Sequence, residues 1–592
     1  MRNSGFDLHQ QLWDNFTFSE KRSIFIGMLG NYSINKVNYL WWILIFVIFF
    51  LVYIYIGSIN RPLRNAESKY AEIPREMLVT GDWITPHLNY VNYYTKPPLT
   101  FWITAFAYKI FGIHPWVARI TNISWAFIAS LLTGILAANM FDSFAGPITN
   151  AIFLLTAEVY AYCLDAGIEF SVISCNIAAL LFFWLYDNSY YKKKLYLRLF
   201  YTCVGLSFLA KGILGLILPL VIVFVYLISF RELQKAKYVF DFIGIFILLI
   251  FTIPWSAVMT LRHPDFLKCF VINEHIGRLL GTLDSKDSLF PTSIFLAYVI
   301  GEFFPWIIFT PFIWDVIVKF WKNHQYKKKI IFLIIWSLIP LLLFSIARCK
   351  VDFYSLHIYP PLFIILSIGI EKMITTKKET KIIRWWKYLW LYLAIIAIIA
   401  YFILTLKSKS NLISMLDIPS IKLAKQFLLT SFLFNSLMFF LIFKNKIKGF
   451  FLLLFCYMII FFFFTKEMYV AAYNNDSIKF AADAYNKYSS NKTNSLLFSE
   501  ELPEFAHIAI LNFYTKKPAY FLRNNKNSKL HFIQKDRMKM CFDEDDFFKL
   551  VKKGIKIYFI GHIKRTKERF NRMGIKYNII AKNGNKAIFE IN

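Results

Sequence analysis

Acidic side chains are scarce in this chain: 37 Asp and Glu stand against 67 Lys and Arg in 592 residues, a formal net charge of +30. Cysteine is sparse as well. The seven present (Cys163, Cys175, Cys203, Cys269, Cys349, Cys456, Cys541) show no CxxC spacing, so they give neither a zinc signature nor a disulfide framework. Several lie inside apolar runs, where a thiol behaves as a small hydrophobe. The basic excess is not a nucleic-acid footprint, because Lys and Arg fall in short runs between apolar segments and are not gathered on one folded face. Met1 to Asn38 lacks a short apolar core followed by a small-residue cleavage site. No cleaved signal peptide is therefore expected, and the first span is expected to act as the insertion signal.

Apolar residues dominate: 57% of the chain is hydrophobic, 64 residues are Phe, and the mean hydropathy is +0.48. Repeated apolar runs of about 18 residues mark a polytopic α-helical membrane protein. Thirteen spans are expected near 39–57, 116–140, 144–161, 170–186, 195–210, 213–230, 238–260, 291–319, 330–347, 355–371, 386–406, 425–443 and 448–465, the pair around Lys211 being readable as one broken segment. Alternate loops carry the basic runs Tyr191–Lys194, Arg231–Lys237, Lys319–Lys329, Lys372–Lys381 and Lys444–Lys448. All fall on one side if the N-terminus is cytoplasmic, as the positive-inside bias requires. The opposite face then holds loop 61–115, the Asp165 turn, Lys211, residues 262–290, Arg348–Phe353, residues 407–424 and the tail. Residues 1–466 are expected to form the membrane domain and 467–592 a small α/β domain. The latter should have strands at Ser495–Ser499, Ala519–Leu522, Ile555–Ile560 and Ala587–Ile591, and helices at Glu504–Asn512 and Asp545–Lys553. This tail shows no Gly-rich phosphate loop or metal cluster and is expected to cap or regulate the membrane part.

The chemistry concentrates on that opposite face. Residues 67–80 place Tyr70, Ile73, Met77 and Leu78 at helical spacing, which predicts an amphipathic interfacial helix. Glu67 lies near its N-terminus, and Glu72, Arg75 and Glu76 read as its solvated, ion-paired face. Gly81-Asp82-Trp83 then turns the chain, and Pro97-Pro98 holds Lys96 at a helix entrance, where a cation at headgroup level suits a phosphate. A carboxylate at a membrane boundary, as at Asp165, is costly unless it pairs or works. Glu169 follows four residues later, and the two are candidate ligands for a divalent metal ion. Glu274 and Arg278 are an i,i+4 pair in Asn273–Arg278. Arg348, Lys350 and Tyr354 cluster before His357 and Pro360-Pro361, cations and a hydroxyl suited to phosphate, and Lys211 adds another cation. Cations of this kind stabilise a phosphate leaving group, while carboxylates stabilise an electron-poor sugar carbon or hold an acceptor.

The stretch ESKYAEIPREMLVTGDWITPHLNYVNYYTKPPLTFW resembles the first periplasmic loop of the aminoarabinose transferases that modify lipid A, members of the protein-mannosyltransferase-like integral-membrane glycosyltransferases with the GT-C fold. The likeness continues through Gly205–Gly212, Glu274–Arg278, Gly301–Trp306 and Ser345–Pro361, covering roughly residues 60–365. It implies a GT-C enzyme of the bacterial inner membrane, with its site and tail on the periplasmic side. The donor would be a sugar on undecaprenyl phosphate, the sugar aminoarabinose or a hexosamine such as galactosamine, and the acceptor a lipid A phosphate. By position it implies that Lys96, Arg278 and Tyr354 hold the donor phosphate with Lys211, Arg348 and Lys350 as further cations. Glu67 and Asp165 are then the catalytic carboxylates, and Lys69, Tyr70, Asp82, Glu274 and His275 position substrate. The family's loop opens Asp-Glu-x-Arg-Tyr-Ala, where this chain has Ala66-Glu67-Ser68-Lys69-Tyr70-Ala71. Loss of that leading aspartate, a proposed base, is harmful for a hydroxyl acceptor but tolerable for a phosphate monoester, whose second pKa is about 6. Transfer to a hydroxyl, as in a protein O-mannosyltransferase, and transport of a lipid-linked sugar remain alternatives. Transport fits less well, since transporters place charge near the midplane and carry internal repeats, whereas here charge sits at one face and the halves show no repeat.

Overall fold

The computed structural model describes residues 36–57, 61–141, 144–189, 192–230, 239–282, 291–376, 381–407, 418–489, 495–500, 506–522 and 540–591. The N-terminal leader up to residue 35, the basic run Arg231–Lys237, most of loop 407–424 and the start of the Glu504 helix lie outside the described residues. Helices occupy all thirteen of the expected apolar stretches. Among the described residues, seven helices are long and apolar enough to cross a membrane, or eight if one bent pair is counted as a single span. The sequence divides as the physics of burial suggests. Glu169–Asn188 lies at the centre of the bundle, whereas Phe242–Arg262 is peripheral and presents Phe242, Phe246, Ile250 and Leu261 outward, where lipid is the natural solvent.

Two spans are interrupted. The stretch expected at 144–161 is split into Ala145–Leu154 and Ala157–Cys163, and the one at 291–319 bends by 85° between Thr292–Gly301 and Trp306–Trp321. Trp306 is fully buried at the second break, and its indole N–H donates to the Ile152 carbonyl (3.1 Å) and the Thr156 hydroxyl (2.9 Å), so the two breaks hold each other. The segments around Lys211 are separate helices, Lys193–Lys211 and Ile213–Ser229. They are divided at Gly212, whose φ of +84° is open to glycine and strained for other residues.

The first loop is itself structured. It contains a helix Asn65–Thr80, a two-stranded hairpin (β1 His87–Leu88, β2 Val91–Asn92) and a short apolar helix Leu99–Phe111. Asn89 and Tyr90 both adopt positive φ, the geometry of a tight hairpin turn matched to strand twist.

The C-terminal unit begins after a helix that runs on to Asp476. Its six-stranded sheet has the order β5-β4-β3-β6-β8-β7, with β3 Ser495–Ser499, β4 Tyr520–Leu522, β5 Cys541–Phe542, β6 Lys556–His562, β7 Asn578–Asn583 and β8 Lys586–Ile591. β5, β4, β3 and β6 are parallel, and β8 and β7 close the sheet antiparallel. The unit packs against the first loop. The Asn512 amide donates to Asn89 Oδ1 (2.6 Å), the Asn89 amide to the Ala519 carbonyl (2.9 Å), and the Ser477 hydroxyl to the Leu63 carbonyl (3.1 Å).

Candidate active site

Lys96 follows the β-hairpin and precedes Pro97-Pro98, which start the Leu99–Phe111 helix. Glu274, His275 and Arg278 come from a π-helical stretch, Lys268–Ile276, and the turn after it. The wide π turn lets Glu274 reach across to the first loop, and its Oε1 accepts from both Lys96 Nζ and Arg278 Nε, the latter at 3.0 Å. Burial alone would raise the Glu274 carboxyl, but the Lys96 and Arg278 charges hold it down at about 2. It is therefore an anion under all physiological conditions. Lys211 ends its helix beside this pair, only 6% exposed, bonded to Glu169 and set over the rings of Phe353 (5.1 Å) and Tyr354 (5.5 Å). Tyr354 is buried and stacked on Phe344 at 4.1 Å. Its hydroxyl is pushed up to about 12 by burial, with nearby Arg278 opposing and Glu169 and Glu274 adding to the rise. It is therefore a neutral O–H donor. Tyr70 faces the same group of charges, feeling Glu169, Glu274 and Arg278. Three cations and two carboxylates thus meet with one net positive charge, walled by aromatic rings.

Lys96, Arg278, Tyr354, Lys211, Glu274 and Tyr70 are thus brought together. Lys350 is buried at 4% exposure, with no carboxylate partner among the described residues. Arg348 is exposed on the bend after the His324–Ile346 helix, its backbone N–H bonded to the Leu279 carbonyl. Lys69 is half-buried on the Asn65–Thr80 helix.

Other expected site residues are structural. Glu67 is 1% exposed and clasped by Arg119, Nη2 to Oε1 at 2.7 Å and Nε to Oε2 at 3.0 Å. It also accepts the backbone N–H groups of Arg64 and Ala166, capping its own helix and anchoring the Asp165 turn. Burial would raise its carboxyl, but Arg119 and Arg61 hold it at about 2. A carboxylate so sealed anchors its own helix to the Asp165 turn. The sequence reading missed Arg119, although an arginine within an apolar run is a signal in itself. Asp165 is tied to Arg61 at 2.8 Å and Glu169 to Lys211, so the candidate metal pair is divided between two cations. Among the described residues no three His, Cys, Asp or Glu side chains are arranged to hold a metal ion. A divalent ion does not fit two carboxylates already neutralised in this way.

Asp82 caps the turn after the first-loop helix, accepting from the Ile84 and Thr85 N–H groups at 3.0 Å each, and faces Arg262. His275 spends both ring nitrogens on the backbone: Nδ1 bonds the Phe270 carbonyl (2.6 Å) and Nε2 accepts from the Ile213 N–H (3.2 Å). Asp82 and His275 thus hold the backbone around the site. His275 does so by fixing the Gly212 break that carries Lys211.

The expectation of a solvated Glu72–Arg75–Glu76 face is overturned. All three are at most 1% exposed, Arg75 bonds Glu72 at 2.6 and 2.7 Å, and Glu76 accepts the Asn89 and Tyr90 N–H groups at 2.8 Å each. The helix lies between the membrane part and the C-terminal unit, which the helical periodicity alone does not reveal. Burial and the neighbouring Glu72 carboxylate push the Glu76 carboxyl well above its ordinary range, and the two carboxyls bond each other.

Comparison with known proteins agrees with the family read from the first loop. Residues 95–257 match the family model described as dolichyl-phosphate-mannose-protein mannosyltransferase. An undecaprenyl phosphate-alpha-4-amino-4-deoxy-L-arabinose arabinosyl transferase of Enterobacter sp. (strain 638) is 28% identical over 323 residues, 54% of this chain and 57% of that one. A protein of the same name from Photorhabdus laumondii is 28% identical over 339 residues, 56% of this chain and 60% of that one. The chain thus matches less than two thirds of these relatives' length. The crystal structure of ArnT from Cupriavidus metallidurans bound to undecaprenyl phosphate superposes with a TM-score of 0.76 at 21% identity, over 93% of this chain and 98% of that one. Its apo form gives 0.75 at 20% identity, with the same coverage. The chain is an integral membrane protein with the GT-C fold.

Proposed function

We propose that this protein is an inner-membrane glycosyltransferase that moves aminoarabinose from undecaprenyl phosphate to a lipid A phosphate, with its site on the periplasmic face. The observation that carries this reading is the shared Glu274 carboxylate, which holds Lys96 and Arg278 side by side with Lys211 and Tyr354. Before substrate arrives, Glu274 keeps the two cations ordered and partly neutralised. When the donor binds, they turn their remaining N–H groups to the phosphate, and the Tyr354 hydroxyl adds a neutral donor. Fixed donors of this kind stabilise charge that grows as the bond breaks and need little reorganisation at that moment.

In the reaction an acceptor phosphate oxygen attacks the anomeric carbon, the bond from that carbon to the donor phosphate oxygen breaks, and undecaprenyl phosphate leaves with the bonding electrons. The growing negative charge falls on Lys96, Arg278 and Lys211. No proton need leave the acceptor, since a phosphate monoester with a pKa of about 6 is largely dianionic at neutral pH. This suits a site whose nearest first-loop carboxylate, Glu67, is sealed against Arg119 and unavailable as a base. A hydroxyl acceptor would lack that help.

Mass spectrometry of lipid A from cells with and without the gene tests the reading. The expected result is loss of one aminoarabinose mass when the gene is absent. Unchanged lipid A would contradict it.

A further inference from the structure

Among the described residues, three carboxylates near the donor-phosphate group have no ion-pair partner. Glu158 comes from the helix Ala157–Cys163, Glu302 from the bend after Thr292–Gly301, and Asp352 from the 3₁₀ turn Asp352–His357. The Ser355 hydroxyl lies between the first two, 2.5 Å from Glu158 Oε1 and 3.0 Å from Glu302 Oε2, and 2.9 Å from the Asp352 carbonyl. Asp352 bonds the Tyr162 hydroxyl and adds its charge to both glutamates. Every other carboxylate discussed above, apart from Glu76, which accepts two backbone N–H groups, and the turn-capping Asp82, is closely paired: Glu67 with Arg119, Glu72 with Arg75, Asp165 with Arg61, Glu169 with Lys211 and Glu274 with Lys96 and Arg278. Among the described residues, no ion pair reaches Glu158, Glu302 or Asp352.

An independent observation points to a missing donor. Glu158 is only 4% exposed, and no N–H or alcohol O–H donor reaches its buried Oε2, its carboxyl being bonded instead to that of Glu302. Burying a carboxylate oxygen without a donor is costly, and the cost falls when a cationic N–H group enters. Glu302 and Asp352 are only half-buried, so the cluster has an open rim.

Its position relates it to the phosphate site. Tyr354 lies on the same turn as Asp352 and Ser355, and Lys211 stands over Phe353 and Tyr354. A single turn thus carries Tyr354, which meets the cation Lys211, together with Asp352 and Ser355 of the carboxylate cluster. A sugar with a phosphate on its anomeric carbon and a protonated amine across the ring has the complementary charges. We propose that Glu158, Glu302 and Asp352 form the subsite for the donor sugar's ammonium group, with Glu302 and Asp352 at the rim and Glu158 supplying the buried acceptor. The proposal rests on the transfer of an amino sugar argued above. It also accounts for selection between sugars, because a neutral hydroxyl or amide brings no cation to the Glu158–Glu302 pair and Asp352, and sites built for one polar group reject analogues that lack it.

The test uses the full chain in lipid nanodiscs and three ligands: undecaprenyl phosphate without sugar, the 4-amino-sugar donor, and the same donor N-acetylated. We expect the amino donor to bind at least about tenfold tighter than the N-acetylated one. Glu302→Gln and Asp352→Asn, both at the half-exposed rim, are expected to bring that ratio towards one while the Kd for sugar-free undecaprenyl phosphate stays within about twofold. Thermal unfolding of each variant verifies that it is folded. A wild-type ratio near one, or variants that keep the wild-type ratio, overturns the subsite while sugar-free binding leaves the proposed function standing. Failure of the wild type to bind undecaprenyl phosphate at all overturns both.

Discussion

Lys96 and Arg278 bond the same oxygen, Oε1 of Glu274, although they come from the first loop and from a π-helical turn far along the chain. One carboxylate thus sets the spacing of two cations and prevents either from folding back onto the bilayer surface. In the function proposed above, the pair acts as a preformed phosphate clamp.

Lys96→Ala and Arg278→Ala should each weaken undecaprenyl phosphate binding by at least about tenfold, the scale of one lost charge-assisted contact. Isothermal titration in nanodiscs measures this, with protease protection as the check on membrane insertion. Glu274→Gln should weaken binding less, because both cations remain but lose their common tether.

The clamp also has an acid limit. The Glu274 carboxyl sits at about 2, below its ordinary 4.5, so its contribution to stability is complete above pH 4.5 and lost as pH falls towards 2. Thermal melting between pH 7 and 3 should show a Tm that holds to about pH 5 and then declines, and Glu274→Gln should remove part of that decline. An equally steep decline in the variant would assign it elsewhere.

Glu76 has the opposite sign. Its carboxyl is raised by burial and by Glu72, so its stabilising contribution is complete below pH 4.5 and is lost as pH rises through the raised value. Tm should therefore fall from mildly acid to alkaline pH. Glu76→Gln should flatten that dependence while costing about 1 kcal/mol for the acceptor it removes from the Tyr90 N–H.

Glu67→Gln should damage the fold more than the chemistry. Breaking a buried ion pair from one side costs about 3–5 kcal/mol, so Tm should fall markedly while kcat per folded molecule is preserved. A variant with normal Tm and abolished turnover would return Glu67 to a catalytic role.

Gly212→Ala should raise the donor KM and lower kcat, both measurable by steady-state transfer assay. A Cβ there would meet Phe270 at 2.8 Å and His275 at 3.0 Å, and the positive φ adds strain, so the turn that carries Lys211 must shift.

Much of this architecture is written in the chain. Apolar runs of span length and basic loops on alternate sides are strong signals, because the bilayer penalises unpaired backbone and charge so heavily. All thirteen stretches accordingly carry helices. The spacing also pointed to Lys96, Arg278, Lys211 and Tyr354, each a polar residue beside a span entrance. Local pairs such as Glu274–Arg278 were legible, but pairing between distant segments was not. Glu67, Asp82 and His275 look like chemistry in one dimension because their partners, Arg119, the Ile84 and Thr85 amides and the Phe270 carbonyl, are chosen by tertiary contact. The Glu72–Arg75–Glu76 face misled for the same reason: helical periodicity gives a polar face but not what covers it. In the C-terminal unit, the helix Ile563–Arg572 and the partly exposed β7 escaped notice because neither carries an apolar run. The unpaired trio Glu158, Glu302 and Asp352 was hidden because its members come from three separate segments.

The central claim is that Lys96 and Arg278 hold the donor phosphate for transfer, and single-turnover assay of the full chain in nanodiscs tests it most directly. With undecaprenyl phosphate-linked aminoarabinose and lipid A, the wild type should yield lipid A heavier by one aminoarabinose, while Lys96→Ala and Arg278→Ala, inserted and folded, should yield none at any donor concentration. Transfer at the wild-type rate by either variant would contradict the account.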